Sequence, residues 1–338
     1  MMNTEKSEAR PFADRYIDLH LHLDGAVTPE IARKLAALQD IPLPGDDAEL
    51  RDLVTVRHDC KDLNEFLARF ELPISLLQTP EAFREAVRLV SDNILCQGVI
   101  YAELRFAPQS HTRKGMTQEE AVKAALEGLK ETELKANLIL CCMRGKGNED
   151  RNDETVELAR KYLVEDGGVT AIDLAGAEAL FPTGDYRELF VKARGYGIPF
   201  TIHAGEADGP ESVRAAIGFG AKRIGHGVRI CSDPDTVRLV REAGVTLEMC
   251  PTSNRQTHAV SSMASYPFMD LLREGIKVTL NTDDMGIEGI TLADEYRYME
   301  KEFHLTGDQE RIILSNAVEA AFTSAGRKAE LKALLDLK

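Results

Sequence analysis

Short apolar runs recur along this chain, most of them separated by helical stretches, and they carry polar residues at their downstream ends. The candidate strands are residues 16–25, 99–106, 137–143, 169–174, 198–203, 223–226, 245–250 and 277–283, with helical stretches such as 118–134 and 153–163 between them. Eight β units alternating with helices predict an α/β fold, a (β/α)8 TIM barrel, in which strand-end residues face one mouth. An open dinucleotide-binding sheet would want G-x-G-x-x-G after an early strand, and none is present. At 338 residues the chain is longer than a plain barrel of roughly 250. The surplus is expected between residues 28 and 98, a helical stretch broken by Ile41-Pro42-Leu43-Pro44-Gly45 and too long for one connection. The whole chain, 1–338, is read as one domain with this helical insertion after the first strand.

The strand ends carry the chemistry. His20 and His22 stand two apart in the first strand, so their side chains point to one side and form half of a metal site before any further folding. The fourth strand ends in Asp173-Leu174-Ala175-Gly176, the fifth in His203-Ala204-Gly205-Glu206, the sixth in Gly225-His226-Gly227 and the eighth in Asn281-Thr282-Asp283-Asp284. Three histidines with an aspartate make a plausible zinc set with a position left for water. His226, Glu206 and Asp284 then remain for proton transfer and substrate binding. Four of the eight histidines lie at these ends; His58, His111, His258 and His304 are read as surface or packing residues. Leu63, Phe66, Leu67 and Phe70 fall at i, i+3, i+4 and i+7 on one helix face, which taken alone reads as core packing.

Composition excludes several function classes. With 56 acidic against 41 basic residues, a net charge of −15 spread along the chain, neither nucleic acid nor an anionic membrane is an expected partner. Residues 1–10 lack the apolar core of a signal peptide and no uncharged run could span a bilayer, so a cytoplasmic protein is expected. Six cysteines without C-x-x-C spacing read as buried reduced thiols. The H-x-E and P-C-x-x-C signature of zinc deaminases acting on cytidine is also absent.

Taken together, His20-Leu-His-Leu-Asp-Gly-Ala26, Asp173-Leu-Ala-Gly176, His203-Ala-Gly-Glu206, Arg223-Ile-Gly-His-Gly-Val228, Thr252-Ser-Asn254 and Asn281-Thr-Asp-Asp284 resemble the adenosine deaminase family of metal-dependent amidohydrolases, in family order over nearly the whole chain. The resemblance implies one zinc per chain on His20, His22, His203 and Asp283, with His226 orienting and deprotonating the attacking water and Glu206 protonating purine N1. It implies Asp284 at N7, the Gly176 N–H at N3, Asp24 on the ribose 5′-hydroxyl, and Leu63, Phe66, Leu67 and Phe70 as a hydrophobic lid. The implied substrate is a small purine nucleoside, adenosine or 2′-deoxyadenosine, converted to inosine or deoxyinosine and ammonia. Deamination of adenine or of a 5′-modified nucleoside would use the same chemistry, and a non-catalytic purine-binding barrel is the alternative of a different class. The chain departs from the family at Met285, where proline is usual, and at Ala177, where a polar residue is expected. No lysine ends the fourth strand to be carbamylated, so a single metal is expected rather than a pair.

Overall fold

The computed structural model describes residues 14–57, 60 and 63–337, with Leu63 and Asn64 by backbone alone; His58 and residues 1–13 lie outside this set. Eight strands follow in order: β1 (Tyr16–His22), β2 (Val99–Phe106), β3 (Lys135–Met143), β4 (Val169–Ala175), β5 (Thr201–Ala204), β6 (Arg223–His226), β7 (Thr246–Met249) and β8 (Lys277–Leu280). β1–β4 and β5–β8 pair in sequence order, every pairing parallel. Two seams join these halves. At one, Ile172 N–H donates to Pro199 O at 3.1 Å; at the other, Asp283 N–H donates to His20 O and His22 N–H to Asp283 O, both at 2.8 Å. Isolated bridges Ile172–Phe200 and Leu21–Asp283 complete the closed parallel barrel.

Strand residues are buried nearly throughout, all seven of β4 among them, because helices cover the outer face and side chains fill the interior. β6 matches the predicted 223–226, while β5 starts later, β7 is shorter at both ends and β8 stops earlier than the sequence pattern predicts. Proline 199 has no N–H to give a ladder, so β5 starts at Thr201 rather than 198. β8 stops at Leu280 because Asn281 and Thr282 turn their side chains to β1: Asn281 Oδ1 accepts from Leu19 N–H at 3.1 Å, and Thr282 Oγ1 donates to Asp18 Oδ2 at 2.6 Å.

The surplus between β1 and β2 is a set of helices, Pro29–Leu38, Asp47–Val54, Leu63–Ala68, Glu71–Leu76 and Pro80–Cys96. Thr28 and Thr79 cap the first and last, each followed by proline in the first turn, where the missing N–H costs nothing. Helix Pro80–Cys96 lies close against Gln118–Lys130, which Gly128 permits: a Cβ there would stand 2.4 Å from Arg84 O.

His111 is fully buried, with its ring against Phe83 and Nδ1 3.0 Å from Leu77 O, a packing role as expected. None of the six cysteines, all among the described residues, forms a disulfide; Cys60, Cys141, Cys142 and Cys250 are buried, while Cys96 and Cys231 are exposed, against the expectation of burial. Among the described residues no helix is long and apolar enough to cross a membrane.

Candidate active site and metal centre

The C-terminal ends of β1, β5 and β8 bring His20, His22, His203 and Asp283 together. His20 Nε2 and His22 Nε2 lie 3.1 and 3.2 Å from His203 Nε2, and 3.2 and 3.4 Å from Asp283 Oδ1. Donor atoms each 2.0–2.1 Å from one ion can stand no more than about 4.2 Å apart, so these spacings suit one small cation with nitrogen and oxygen ligands. Ligand atoms of His20, His203, His226 and Asp283 also lie within 4.8 Å of one another, so distance alone admits His226 in place of His22. His22 is the better candidate. It shares the Asp283 oxygen that His20 faces, whereas His226 Nε2 faces the other, Oδ2, at 3.8 Å and Glu206 Oε2 at 3.6 Å.

Two of the candidate ligands are held from behind. His20 Nδ1 lies 2.7 Å from Glu248 Oε2, and His203 Nδ1 lies 2.8 Å from Asp173 Oδ2. These carboxylates fix which imidazole nitrogen faces the centre. They are themselves anchored by fully buried Arg105, whose Nη1 meets Asp173 at 2.9 Å and Nη2 meets Glu248 at 2.8 Å. Burial and Arg105 oppose a charge on His20, yet Asp283 and Glu248 hold it up to about 9, so the local field favours positive charge. Burial drives His22 well down and keeps it neutral, while Asp283 is held well below the usual carboxylate range, against burial, by His20 and its neighbours. A neutral imidazole and an ionised carboxylate are the forms that bind metals.

Asp283 and His226 both have positive φ, 65° and 63°, a strained conformation for residues with side chains. The strain turns Asp283 out of β8 toward the histidines. Gly25 makes room for the next residue: a Cβ there would stand 1.8 Å from Asp284 Oδ1. Met285 opens the short helix Met285–Glu288 and is buried. At that first helical position proline and methionine are both accommodated, so this departure leaves the turn in place.

Beside the centre is a cavity of about 320 Å³ lined by His22, His203, Glu206, His226, Asp283, Asp284, Gly176 and Ala177, with Phe66, Leu67 and Phe70 across from them. Phe66 is buried against Val56, Cys60 and Ile287, whereas Leu67 is 52% exposed. The helix face that reads as core therefore does both: Phe66 and Phe70 pack on this small cluster while they and Leu67 line the cavity. The side chain of Leu63 lies outside the described set. Asp24 is buried but does not line the cavity, and its Oδ1 accepts from Gly25 N–H at 3.3 Å.

Glu206 stands over the cavity with Oε1 accepting from Thr257 Oγ1 at 3.3 Å. Burial, then Asp283 and Glu178, push its carboxyl up to about 8. Burial keeps His226 neutral, and Asn254 Nδ2 meets its Nδ1 at 3.0 Å. Burial and the charges of Asp283, Asp24 and Glu206 push Asp284 well up, and its Oδ1 has no hydrogen-bond partner. One arrangement thus offers a proton acceptor, a carboxyl held up to about 8, a second carboxyl pushed up by burial and neighbouring charge, and a cation site.

Sequence reasoning missed Glu178, Glu248 and Glu288. Glu248 stands mid-strand in β7, and its signal was a lone carboxylate in an apolar run. Glu178 follows the fourth-strand motif by two residues, where only the nonpolar Ala177 drew notice. Glu288 Oε1 accepts from Asp284 N–H at 3.1 Å, a contact no local pattern signals.

The adenosine deaminase family model matches residues 16–338. An adenosine deaminase of Haemophilus ducreyi is 48% identical over 326 residues, 94% of each chain, and one of Enterococcus faecalis is 39% identical over 95% of each. Among solved structures, adenine deaminase from Arthrobacter aurescens has a TM-score of 0.86 at 28% identity, covering 96% of this chain and 98% of its own. The N6-mAMP deaminase of Arabidopsis has a TM-score of 0.82 at 25% identity, covering 95% and 97%. Over the length of its barrel and with its strand-end motifs intact, this chain belongs to the adenosine deaminase family.

Proposed function

We propose that the protein hydrolyses adenosine and 2′-deoxyadenosine to the corresponding inosine nucleoside and ammonia, with one zinc ion held by His20, His22, His203 and Asp283. The observation that carries this reading is the placement of a carboxyl held up to about 8, Glu206, beside a neutral histidine and a four-ligand centre in one cavity. Bound there, zinc would lower the pKa of a coordinated water to about 7 and so supply the nucleophile at neutral pH.

The chain's own residues do the rest. His226, kept neutral by burial, orients the water and accepts its proton. Deamination disrupts the aromatic ring at C6, and Glu206 offsets this by giving its proton to N1 as C6 becomes tetrahedral. Asp284 keeps a proton and donates it in a hydrogen bond to N7, the same logic by which a buried neutral carboxyl serves as a donor. The Gly176 N–H meets N3, and Phe66, Leu67 and Phe70 exclude water from the ring. Leu63 is assigned to the same lid by the family resemblance alone. Residues 28–98 act as the lid-bearing insertion of a single deaminase domain.

Adenosine rather than adenylate is supported by charge. Among the described residues Arg229 is the one Lys or Arg lining the cavity, and its Nε and Nη1 already donate to Ala259 O and Ala207 O. The curated relatives at 48% and 39% identity are named adenosine deaminases, whereas the adenine and N6-mAMP deaminases stand at 28% and 25%. The free thiols support a cytoplasmic setting. The test is ammonia release from adenosine, deoxyadenosine, adenine and adenylate. The two nucleosides should turn over fastest; faster release from adenine or adenylate overturns the substrate assignment.

A further inference from the structure

β5 ends at Ala204 and the chain does not enter its next helix until Pro210. Between them, residues 205–208 expose four successive backbone N–H groups that neither strand nor helix satisfies. All four point at one buried side chain. Glu178 Oε1 accepts from Gly205 N–H at 2.7 Å, and Oε2 accepts from Glu206, Ala207 and Asp208 N–H at 3.0, 2.7 and 3.0 Å. Ser212 Oγ donates to Oε1 at 2.5 Å. A run of backbone N–H groups curled this way is an anion-binding nest, filled here by the protein's own carboxylate. Burial alone would raise the Glu178 carboxyl, but Ser212 and the backbone donors hold it below its ordinary value. Gly205 lets the nest form: its φ is 72°, and a Cβ would stand 2.8 Å from Val213 Cγ2.

We infer that Glu178 is the positioning residue for Glu206, setting where the proton donor stands over the cavity. The N–H groups of Glu206 and of both its neighbours end on one carboxylate, so the Cα of Glu206 is fixed on both sides. Only its side-chain torsions remain, and Thr257 Oγ1 at 3.3 Å and His226 Nε2 at 3.6 Å restrict those. Without the cradle, four N–H groups, that of Gly205 buried and the other three part-buried, lose their acceptor, and the loop must rearrange to reach water or other partners. A displacement near 1 Å at a catalytic group can cost about 10²-fold in rate.

The inference rests on the assignment of Glu206 as the acid, and a double-mutant cycle separates the two. Glu178→Gln is isosteric, but its NH2 replaces one acceptor oxygen, so whichever way the amide turns at least one backbone N–H faces a donor. Expected are a fall in kcat of about 10-fold or more in Glu178→Gln, a larger fall in Glu178→Ala, and full metal content in both. In a Glu206→Gln background, adding Glu178→Gln should change kcat by less than about 3-fold, because the group it positions no longer gives a proton. The same fractional loss in both backgrounds would make Glu178 a general structural residue and overturn the inference. So would normal turnover in soluble, metal-replete Glu178→Gln. If Glu206→Gln alone keeps near-normal turnover, it is the acid assignment that fails. Should Glu178→Ala not fold, Ser212→Ala, which removes one donor to Oε1, provides a milder form of the same cycle.

Discussion

Replacing Glu248 by glutamine tests whether the barrel's buried charges serve the metal centre or only the fold. Glu248 is fully buried in β7 and takes four donors: His20 Nδ1 at 2.7 Å, Arg105 Nη2 at 2.8 Å, Arg223 Nε at 2.5 Å and Thr201 Oγ1 at 2.9 Å. Oε2 serves His20 and Arg105, Oε1 serves Arg223 and Thr201. An amide in its place turns an NH2 toward one of the two guanidiniums however it is flipped. Breaking one side of a buried ion pair costs about 3–5 kcal/mol. With an unfolding entropy of about 2.1 cal/mol/K per residue, 338 residues give about 0.7 kcal/mol/K, so Tm should fall by roughly 4–7 °C. Loss of the carboxylate behind a metal-binding histidine should also weaken metal affinity by about 10–100-fold.

The assay pairs thermal unfolding of chelator-stripped protein with a metal titration against a competing chelator. Glu103→Gln is the control. Glu103 meets Arg223 at 2.6 Å and Tyr101 Oη at 3.0 Å but no histidine, so it should lose stability and keep its metal affinity. If Glu248→Gln binds metal as tightly as the parent, or if both variants weaken it equally, the argument that Glu248 acts through His20 is wrong.

His203→Ala should lower metal content and activity together, read by atomic emission alongside ammonia release; full zinc with full turnover would remove His203 from the ligand set. Glu206→Gln should lose at least about 10²–10⁴-fold in kcat with metal retained. As the proposed acid, held up to about 8, Glu206 would act in its protonated form, so kcat/KM should decline as pH rises through that region, and Glu206→Gln should lack this limb. The same raised carboxyl makes folding less favourable as pH climbs from its ordinary 4.5 toward 8, since the native state binds the extra proton there. Asp24→Ala discriminates ribose recognition from turn formation: a lost hydrogen bond to a charged acceptor is worth roughly 1.5–3 kcal/mol, or about 10–150-fold in kcat/KM on adenosine and almost nothing on 5′-deoxyadenosine. Equal losses on both substrates would assign Asp24 to the turn, where its contact with Gly25 N–H puts it.

The barrel was legible because its signal is local and repeated. Each apolar run with a polar end is readable by itself, and eight in a row leave few ways to close a sheet. His20 and His22 were legible for the same reason, since a period of two sends both side chains one way. Boundaries were less so: the run from Ile198 reads as strand, yet only the missing N–H of Pro199 explains the start at Thr201. Leu63, Phe66, Leu67 and Phe70 have the spacing of a core face, and nothing in that spacing distinguishes a face packed on Ile287 from one open to a cavity.

Two of the residues that escaped, Glu248 and Glu178, share a physical property: each is defined by partners far away in the chain, whereas Glu288 meets Asp284 only four positions back. Glu248 reaches His20 across 228 positions and Arg105 across 143, and Glu178 reaches the Gly205 loop across 27. A carboxylate inside an apolar strand does announce that something must pair with it, because an unpaired buried charge is too costly to keep. It does not say what. Arg105 and Arg223 send the same signal from β2 and β6, and only barrel closure brings two guanidiniums to three carboxylates, Glu103, Asp173 and Glu248. That set carries a formal charge of −1 beneath His20 and His203, which a bound cation offsets, so the arrangement that satisfies the barrel interior also draws a metal to its mouth.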